Sequence, residues 1–290
     1  MKSKFIFLLL IIFSPTAMSG HHRGEAALKD IKETLGMVPE FYKNFSDETV
    51  SAAWEQMKAI QLSPKTALTG MEKELIGLAV ASQIPCSYCA YFHTKAAKFN
   101  GADEERVNEA IELAADSRFW ATNFDGLQVD FNLTKKEVDQ VAKFVKKKLE
   151  EKAPAPIPIE ITDAESAFKD IEREWGLVPS VIKRLPKAAI PSAWKELKGI
   201  YLSPTTALPA KIKVLICLAV ESQIPSTQLV YWNTEMAKVL GITDQEVAEA
   251  VNMAAITRFW STWLNGKKFG EKNFKKEVDK IFSYLEKKKK

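Results

Sequence analysis

Shifted by 140 residues, the sequence lies on itself without a gap from about Lys29 to Asp279. Lys29-Asp30-Ile31 meets Lys169-Asp170-Ile171, Gly36-x-Val38-Pro39 meets Gly176-x-Val178-Pro179, and Trp54 meets Trp194. Leu62-Ser63-Pro64 returns at Leu202-Ser203-Pro204, Leu78-Ala79-Val80-x-Ser82-Gln83-Ile84-Pro85 at Leu218 to Pro225, and Arg118-Phe119-Trp120-x-Thr122 at Arg258 to Thr262. Self-similarity at a fixed period means that one structural unit is used twice. The chain therefore divides into a leader at 1–19, a first copy at 20–152, a Pro-rich linker at 153–160 and a second copy at 161–290. The alternating prolines of the linker favour an extended, semi-rigid backbone.

Within each copy the apolar residues recur at helical spacing. Leu75, Ile76, Leu78, Ala79 and Val80 form one buried stretch, and Val107, Ala110, Ile111, Ala114 and Ala115 follow the i, i+3, i+4 rule. Asp103-Glu104-Glu105 and Thr243-Asp244 supply helix starts with acids at the positive end of the dipole. Strand signals are nearly absent. The expected fold is all-α: two tandem bundles of about six helices each.

The leader opens with Lys2 and Lys4, continues through nine apolar-run residues from Phe5 to Phe13, and ends small-x-small at Ala17-x-Ser19. That is the pattern of a secretory signal peptide, and it is too short for the about 20 residues that span a bilayer. No later stretch reaches that length without charges, so a secreted or periplasmic protein with no stable membrane insertion is expected. The formal charge of +4 rests on Lys2, Lys4 and the terminal Lys287 to Lys290; removing these six from the 41 basic residues leaves 35 against 37 acidic ones. Nucleic acid needs basic side chains concentrated on one face, so no nucleic-acid partner is expected.

The two copies differ where chemistry is carried. The first has Cys86-Ser87-Tyr88-Cys89-Ala90-Tyr91-Phe92-His93; the second has Ser226-Thr227-Gln228-Leu229-Val230-Tyr231-Trp232-Asn233, and Glu74 becomes Val214. With Pro85 at the first position of a helix, residues 86, 89 and 93 fall in one stripe at about 100° per residue. Two sulfurs and an imidazole then share a face, near the helix N-terminus that favours a thiolate. A buried inert dithiol, a structural disulfide and a zinc site from Cys86, Cys89, His93 and Glu74 compete with a redox reading. The coincident loss of four polar or reactive groups favours redox chemistry over packing, and the lack of a second CxxC or HxxxH argues against zinc. No metal and no cofactor are expected.

The pattern E-x11-C-x2-C-x3-H, at Glu74, Cys86, Cys89 and His93, resembles the alkylhydroperoxidase-D-like branch of the carboxymuconolactone decarboxylase superfamily over about residues 50 to 126. The resemblance implies an all-helical dithiol peroxidase in which Cys89 attacks a small hydroperoxide, Cys86 resolves the sulfenic acid to a disulfide, and His93 relays the proton towards Glu74. Helix-dipole reasoning alone favours Cys86 as the better thiolate. The branch's intracellular members take electrons from reduced lipoyl carriers, so an exported chain needs another, unknown thiol reductant. Ring assemblies in the family suggest a homo-oligomer, a trimer of tandem chains. A thiol–disulfide oxidoreductase acting on proteins and a non-catalytic interaction module are the alternatives.

The second copy resembles the same fold with its site erased. Cys217 replaces Gly77 inside an apolar run and is expected to be a buried, unpaired thiol. The Arg-Phe-Trp triplets survive in both copies, which points to packing or subunit contacts.

Overall fold

The computed structural model describes residues 20–152 and 159–289; the leader and the linker prolines at 153–158 lie outside the described residues. The first copy forms α1 (Gly20–Leu35), α2 (Glu40–Lys43), α3 (Asp47–Ala59), α4 (Gly70–Gln83), α5 (Ser87–Phe99), α6 (Glu104–Gly126) and α7 (Phe131–Glu150). The second repeats the order: α8 (Ala164–Trp175), α9 (Ser180–Lys183), α10 (Ile190–Leu197), α11 (Ala210–Gln223), α12 (Thr227–Val239), α13 (Asp244–Lys267) and α14 (Glu271–Lys289). A π-helical turn, Lys198–Leu202, follows α10. There is no strand among the described residues. The fold is all-α as expected, with seven helices per copy instead of six because the four-residue α2 and α9 escape any test of periodicity.

The punctuation explains the repeated small residues. Gly36 and Gly176 follow α1 and α8 with φ of 79° and 78°, a left-handed conformation that costs glycine little. Asp103 caps α6 by accepting from the Arg106 N–H, and Thr243 caps α13 in a reciprocal box with Glu246. Such caps each contribute about 1 kcal/mol.

The described residues fall into two compact units, divided between Glu55 and Gln56. In the smaller one the Trp54 indole N–H donates to Asp30 Oδ2 at 2.8 Å, and Tyr42 packs edge-on against Trp54 at 5.7 Å. The larger one repeats the first device, with Trp194 donating to Asp170 Oδ2 at 2.8 Å.

Inside the larger unit the two copies interlock. Helices α4 and α11 are buried all round from Lys73 to Ala81 and from Ile212 to Glu221, which is how a helix at the centre of a core reads. They pack on each other and on α6 and α13. The face of α6 that is buried carries Val107, Ala110, Leu113 and Ala114; Ile111 and Ala115 lie outside it, because the apolar stripe drifts past them towards Ser117 and Trp120.

Reciprocal contacts join the copies. α14 packs on α5, where the Tyr88 hydroxyl donates to the Phe269 carbonyl and Tyr91 donates to Asp279 at 2.8 Å. α7 packs on α12, where Gln228 donates to the Val129 carbonyl at 3.1 Å and Tyr231 to Asp139 at 2.6 Å. Each of these pairs maps onto the other by the 140-residue shift, the reciprocity of a two-fold interface built within one chain. Glu249 likewise accepts from the Ala67 and Leu68 N–H groups, both at 2.9 Å, and Glu109 accepts from Leu208 N–H at 2.9 Å.

Two lysines that the repeat also preserves are buried in this frame. Lys73 donates to the Ile60 carbonyl, the Ser63 carbonyl and the Thr66 hydroxyl at 2.8, 2.6 and 2.8 Å. Lys213 repeats the pattern on Ile200, Ser203 and Thr206, and pairs with Glu109 at 3.1 Å. Desolvation pulls Lys73 below the usual lysine value against the opposing charges of Glu74 and Glu249. Among the described residues no helix is long and apolar enough to cross a membrane.

Candidate active site

α4 ends at Gln83, and a short turn through Ile84 and Pro85 reverses the chain into α5. The sequence places Pro85 at the first helical position; in the structure it stands in the turn, Cys86 is the N-cap, and the helix begins at Ser87. The reason is the turn itself, which consumes the Cys86 N–H in a 3.0 Å bond to the Ala81 carbonyl. The Cys86 sulfur then takes the role of a capping oxygen, accepting from the Cys89 N–H at 3.2 Å. Cys86 and Cys89 are joined as a disulfide, with Cα atoms 5.3 Å apart, inside the range that such a bond spans. Both are buried, at 1% and 3% exposure.

One turn beyond Cys89, His93 is also buried and faces α4. Its Nδ1 lies 2.6 Å from Glu74 Oε2. Against an ionised carboxylate, which only accepts, the ring proton sits on Nδ1 and the Nε2 lone pair is left to accept. Glu74 receives a second hydrogen bond from Gln61 Nε2 at 3.1 Å, so the carboxylate is fixed from both sides. Nε2 receives the hydroxyl of Thr257 at 3.3 Å, a residue of the second copy. The imidazole is therefore held between one carboxylate of its own repeat and one hydroxyl of the other.

The ring fits because Gly77 lies beneath it. A Cβ added at Gly77 would stand 2.5 Å from Nδ1 and 2.8 Å from Nε2 of His93, closer than carbon and nitrogen can approach. Tyr88, between the cysteines, does not border an open mouth: its ring packs edge-on against Phe274 at 5.2 Å. It anchors the start of α5 to the second copy.

The structure joins Cys86 to Cys89 and, one turn further along the same helix, His93 to Glu74; around the second pair it adds Gln61, Gly77 and Thr257. The difference between the copies could have found Gln61 and Gly77, which become Tyr201 and Cys217. Thr257 comes from a cross-copy contact that no pattern along the chain encodes. With the two sulfurs joined, no group of three or more His, Cys, Asp or Glu among the described residues is placed to hold a metal ion.

The corresponding place in the second copy is not erased; it is rebuilt. Asn233 stands for His93 and donates to Glu221 Oε2 at 2.6 Å, while its carbonyl accepts from the Tyr201 hydroxyl at 2.6 Å. Glu221 stands where the first copy has Ala81, two turns along the helix from Val214. Its other oxygen accepts from Ser117 at 3.2 Å, and Ser117 is the counterpart of Thr257. Cys217 is free and buried, and burial pushes its thiol well above the usual value. Ser226, in the place of Cys86, buries a hydroxyl oxygen that has no hydrogen-bond partner.

Fold and site together define a class: an all-helical tandem bundle in which a CxxC disulfide caps a helix beside a buried His–Glu pair. Residues 48–129 match the model of the carboxymuconolactone decarboxylase family. A crystal structure described as a gamma-carboxymuconolactone decarboxylase subunit from Burkholderia xenovorans LB400 has the same fold, with a TM-score of 0.52 at 13% identity over 91% of this chain and 98% of that one. An uncharacterised protein of the cox locus of Paracoccus denitrificans is 42% identical over 52 residues, 18% of this chain; the match spans about half of that protein's length, 47%.

Proposed function

We propose that the first copy is a dithiol peroxidase of the alkylhydroperoxidase-D-like kind, and that the second is its scaffold. The reading is carried by one observation: a buried Cys86–Cys89 disulfide starts the same helix that holds His93 on Glu74.

From the reduced state, His93 Nε2 takes the Cys89 proton, and Glu74 stabilises the imidazolium through Nδ1. The Cys89 thiolate attacks the distal oxygen of a hydroperoxide ROOH. The O–O bond breaks, Cys89 becomes a sulfenic acid, and the alkoxide takes the proton from His93 to leave as ROH. The Cys86 thiol then attacks the Cys89 sulfur, forming the disulfide and releasing water. Two electrons have passed from two thiols to the peroxide, and a dithiol reductant returns the pair to its starting state. The Thr257 hydroxyl can donate to Nε2 of the neutral ring and accept from Nε2 of the imidazolium, so a residue of the second copy positions the base of the first.

Burial of both sulfurs favours a small substrate over a protein disulfide, because thiol–disulfide exchange requires in-line access to a sulfur. The same reading includes export with removal of the leader and a trimer of tandem chains, for which the matched, exposed Phe119 and Phe259 offer apolar contacts. Stopped-flow mixing of the reduced chain with cumene hydroperoxide tests the activity. Oxidation within seconds at micromolar peroxide, with slow reaction towards a protein disulfide, is expected; the reverse order of rates would make the chain a protein oxidoreductase.

A further inference from the structure

Between α6 and the second copy lies a cavity of about 50 Å³, several times the ~10–15 Å³ that one water needs. Its walls are aromatic: Trp120, Phe124, Trp175, Trp232 and Tyr201. Its polar lining includes two carboxyl groups, Asp116 of the first copy and Glu221 of the second; the 140-residue shift sets Ile256 against Asp116 and Ala81 against Glu221, so neither acid is repeated.

Neither acid is balanced by a cation. Asp116 accepts from the Trp120 indole N–H at 3.0 Å, and Glu221 accepts from Ser117 and Asn233. Every one of these donors is neutral. Burial pushes Asp116 up to about 7, aided by the nearby charge of Glu196, and Glu221 up to about 8, aided by Asp116. The ammonium of Lys213, one turn before Cys217, is already engaged by Glu109 and two carbonyls. A place with electron-rich ring faces and two uncompensated carboxyl groups is short of one thing, a positive charge.

We infer that this cavity is a second binding site, separate from the dithiol, and that it takes a small organic cation whose ammonium group faces Asp116 and Glu221 while its apolar body lies against the tryptophans. A neutral ligand of the same shape would gain the apolar contacts and nothing from the carboxyls. The groups that set its pH response are Asp116 on α6, Glu196 on α10, Tyr201 on the π turn, and Lys213, Cys217 and Glu221 on α11. Tyr201 and Cys217 are both held protonated by burial. The change between pH 6 and 8 belongs to the two cavity acids. Cation binding selects their ionised forms, so affinity rises as pH increases through that range and protons are released on binding.

Methylamine and its neutral counterpart methanol, small enough for a cavity of about 50 Å³, titrated calorimetrically into the full chain, provide the test, with tryptophan fluorescence as a second signal. Methylamine is expected to bind at least about tenfold more tightly than methanol at pH 8, the preference shrinking at pH 6. Glu221→Gln should lose that preference while leaving methanol binding and the peroxide reaction of Cys86 and Cys89 intact. Equal affinity for the two compounds would make the cavity a simple apolar void, and binding of neither would make it a water pocket; each result overturns the inference. The wild-type comparison stands even if the variant fails to fold, and neither outcome bears on the dithiol.

Discussion

The two copies run the same backbone through the same contacts and end in different polar centres. In the first, a carboxylate on α4 reaches an imidazole on α5, and a glycine makes room for the ring. In the second, the carboxyl has moved two turns along the central helix, the imidazole has become an amide, and a cysteine fills the space over the glycine position. What both copies keep, the buried lysine, the reciprocal glutamates and the capped helices, belongs to the fold. What only one copy keeps belongs to its chemistry. Both centres also borrow a hydroxyl from the other copy, Thr257 for His93 and Ser117 for Glu221. Neither repeat is complete alone.

The largest effect that separates the copies is expected at the sulfurs. Cys89→Ser should slow peroxide-driven thiol loss at least about 10³-fold, as removal of a nucleophile does, whereas Cys217→Ser should leave the rate unchanged; a stopped-flow trace of each variant checks both. If the fast phase survives in Cys89→Ser and vanishes in Cys86→Ser, the capping sulfur is the one that strikes.

Stability should treat the copies alike where they share a part. Lys73→Met and Lys213→Met each leave two carbonyls and a threonine hydroxyl without their buried ammonium, so each should cost about 3–5 kcal/mol in denaturant unfolding. A large effect in only one copy would contradict a shared structural role.

Gly77→Cys imports the second copy's residue under the first copy's ring. Overpacking should cost about 1–3 kcal/mol. Adding His93→Asn, the second copy's partner for that cysteine, should recover part of the loss. A double-mutant cycle measures the coupling, and strict additivity would mean that the two positions do not share space.

Smaller effects test the remaining contacts. Thr257→Val removes one hydrogen bond of about 1 kcal/mol and should slow peroxide reduction about fivefold, with Thr257→Ser restoring it. Ser226→Ala deletes a hydroxyl that is buried without a partner, and thermal unfolding should show a gain of about 1 kcal/mol.

Much of this contrast was legible in the chain. The 140-residue shift, the all-α pattern and the four residues Glu74, Cys86, Cys89 and His93 follow from reading one copy against the other. Cys217 is buried and unpaired as its apolar neighbours suggest. The second site was hidden by a habit of reading repeats for what matches: in Leu78 to Pro85 the single unmatched position is Ala81, and it is there that Glu221 enters. Asp116 escaped for a different reason, since it lies on the first copy and serves the second. Thr257 shares that difficulty. Side chains that act across a pseudo-two-fold interface leave no spacing along the chain, because their register is set by how α6 and α13 pack on the opposite central helices. Pro85 misled because a proline at a helix start and a proline in the turn before one look the same until the hydrogen bond of Cys86 is known.

Mapping of the thiols after a single turnover tests the central claim most directly. The fully reduced chain is mixed with one equivalent of hydroperoxide, quenched with an alkylating label, and digested for mass spectrometry. Cys86 and Cys89 should be lost together to a disulfide while Cys217 stays fully labelled. Retention of label at Cys86 and Cys89, or oxidation of Cys217 at the same rate, would contradict the division of labour between the copies.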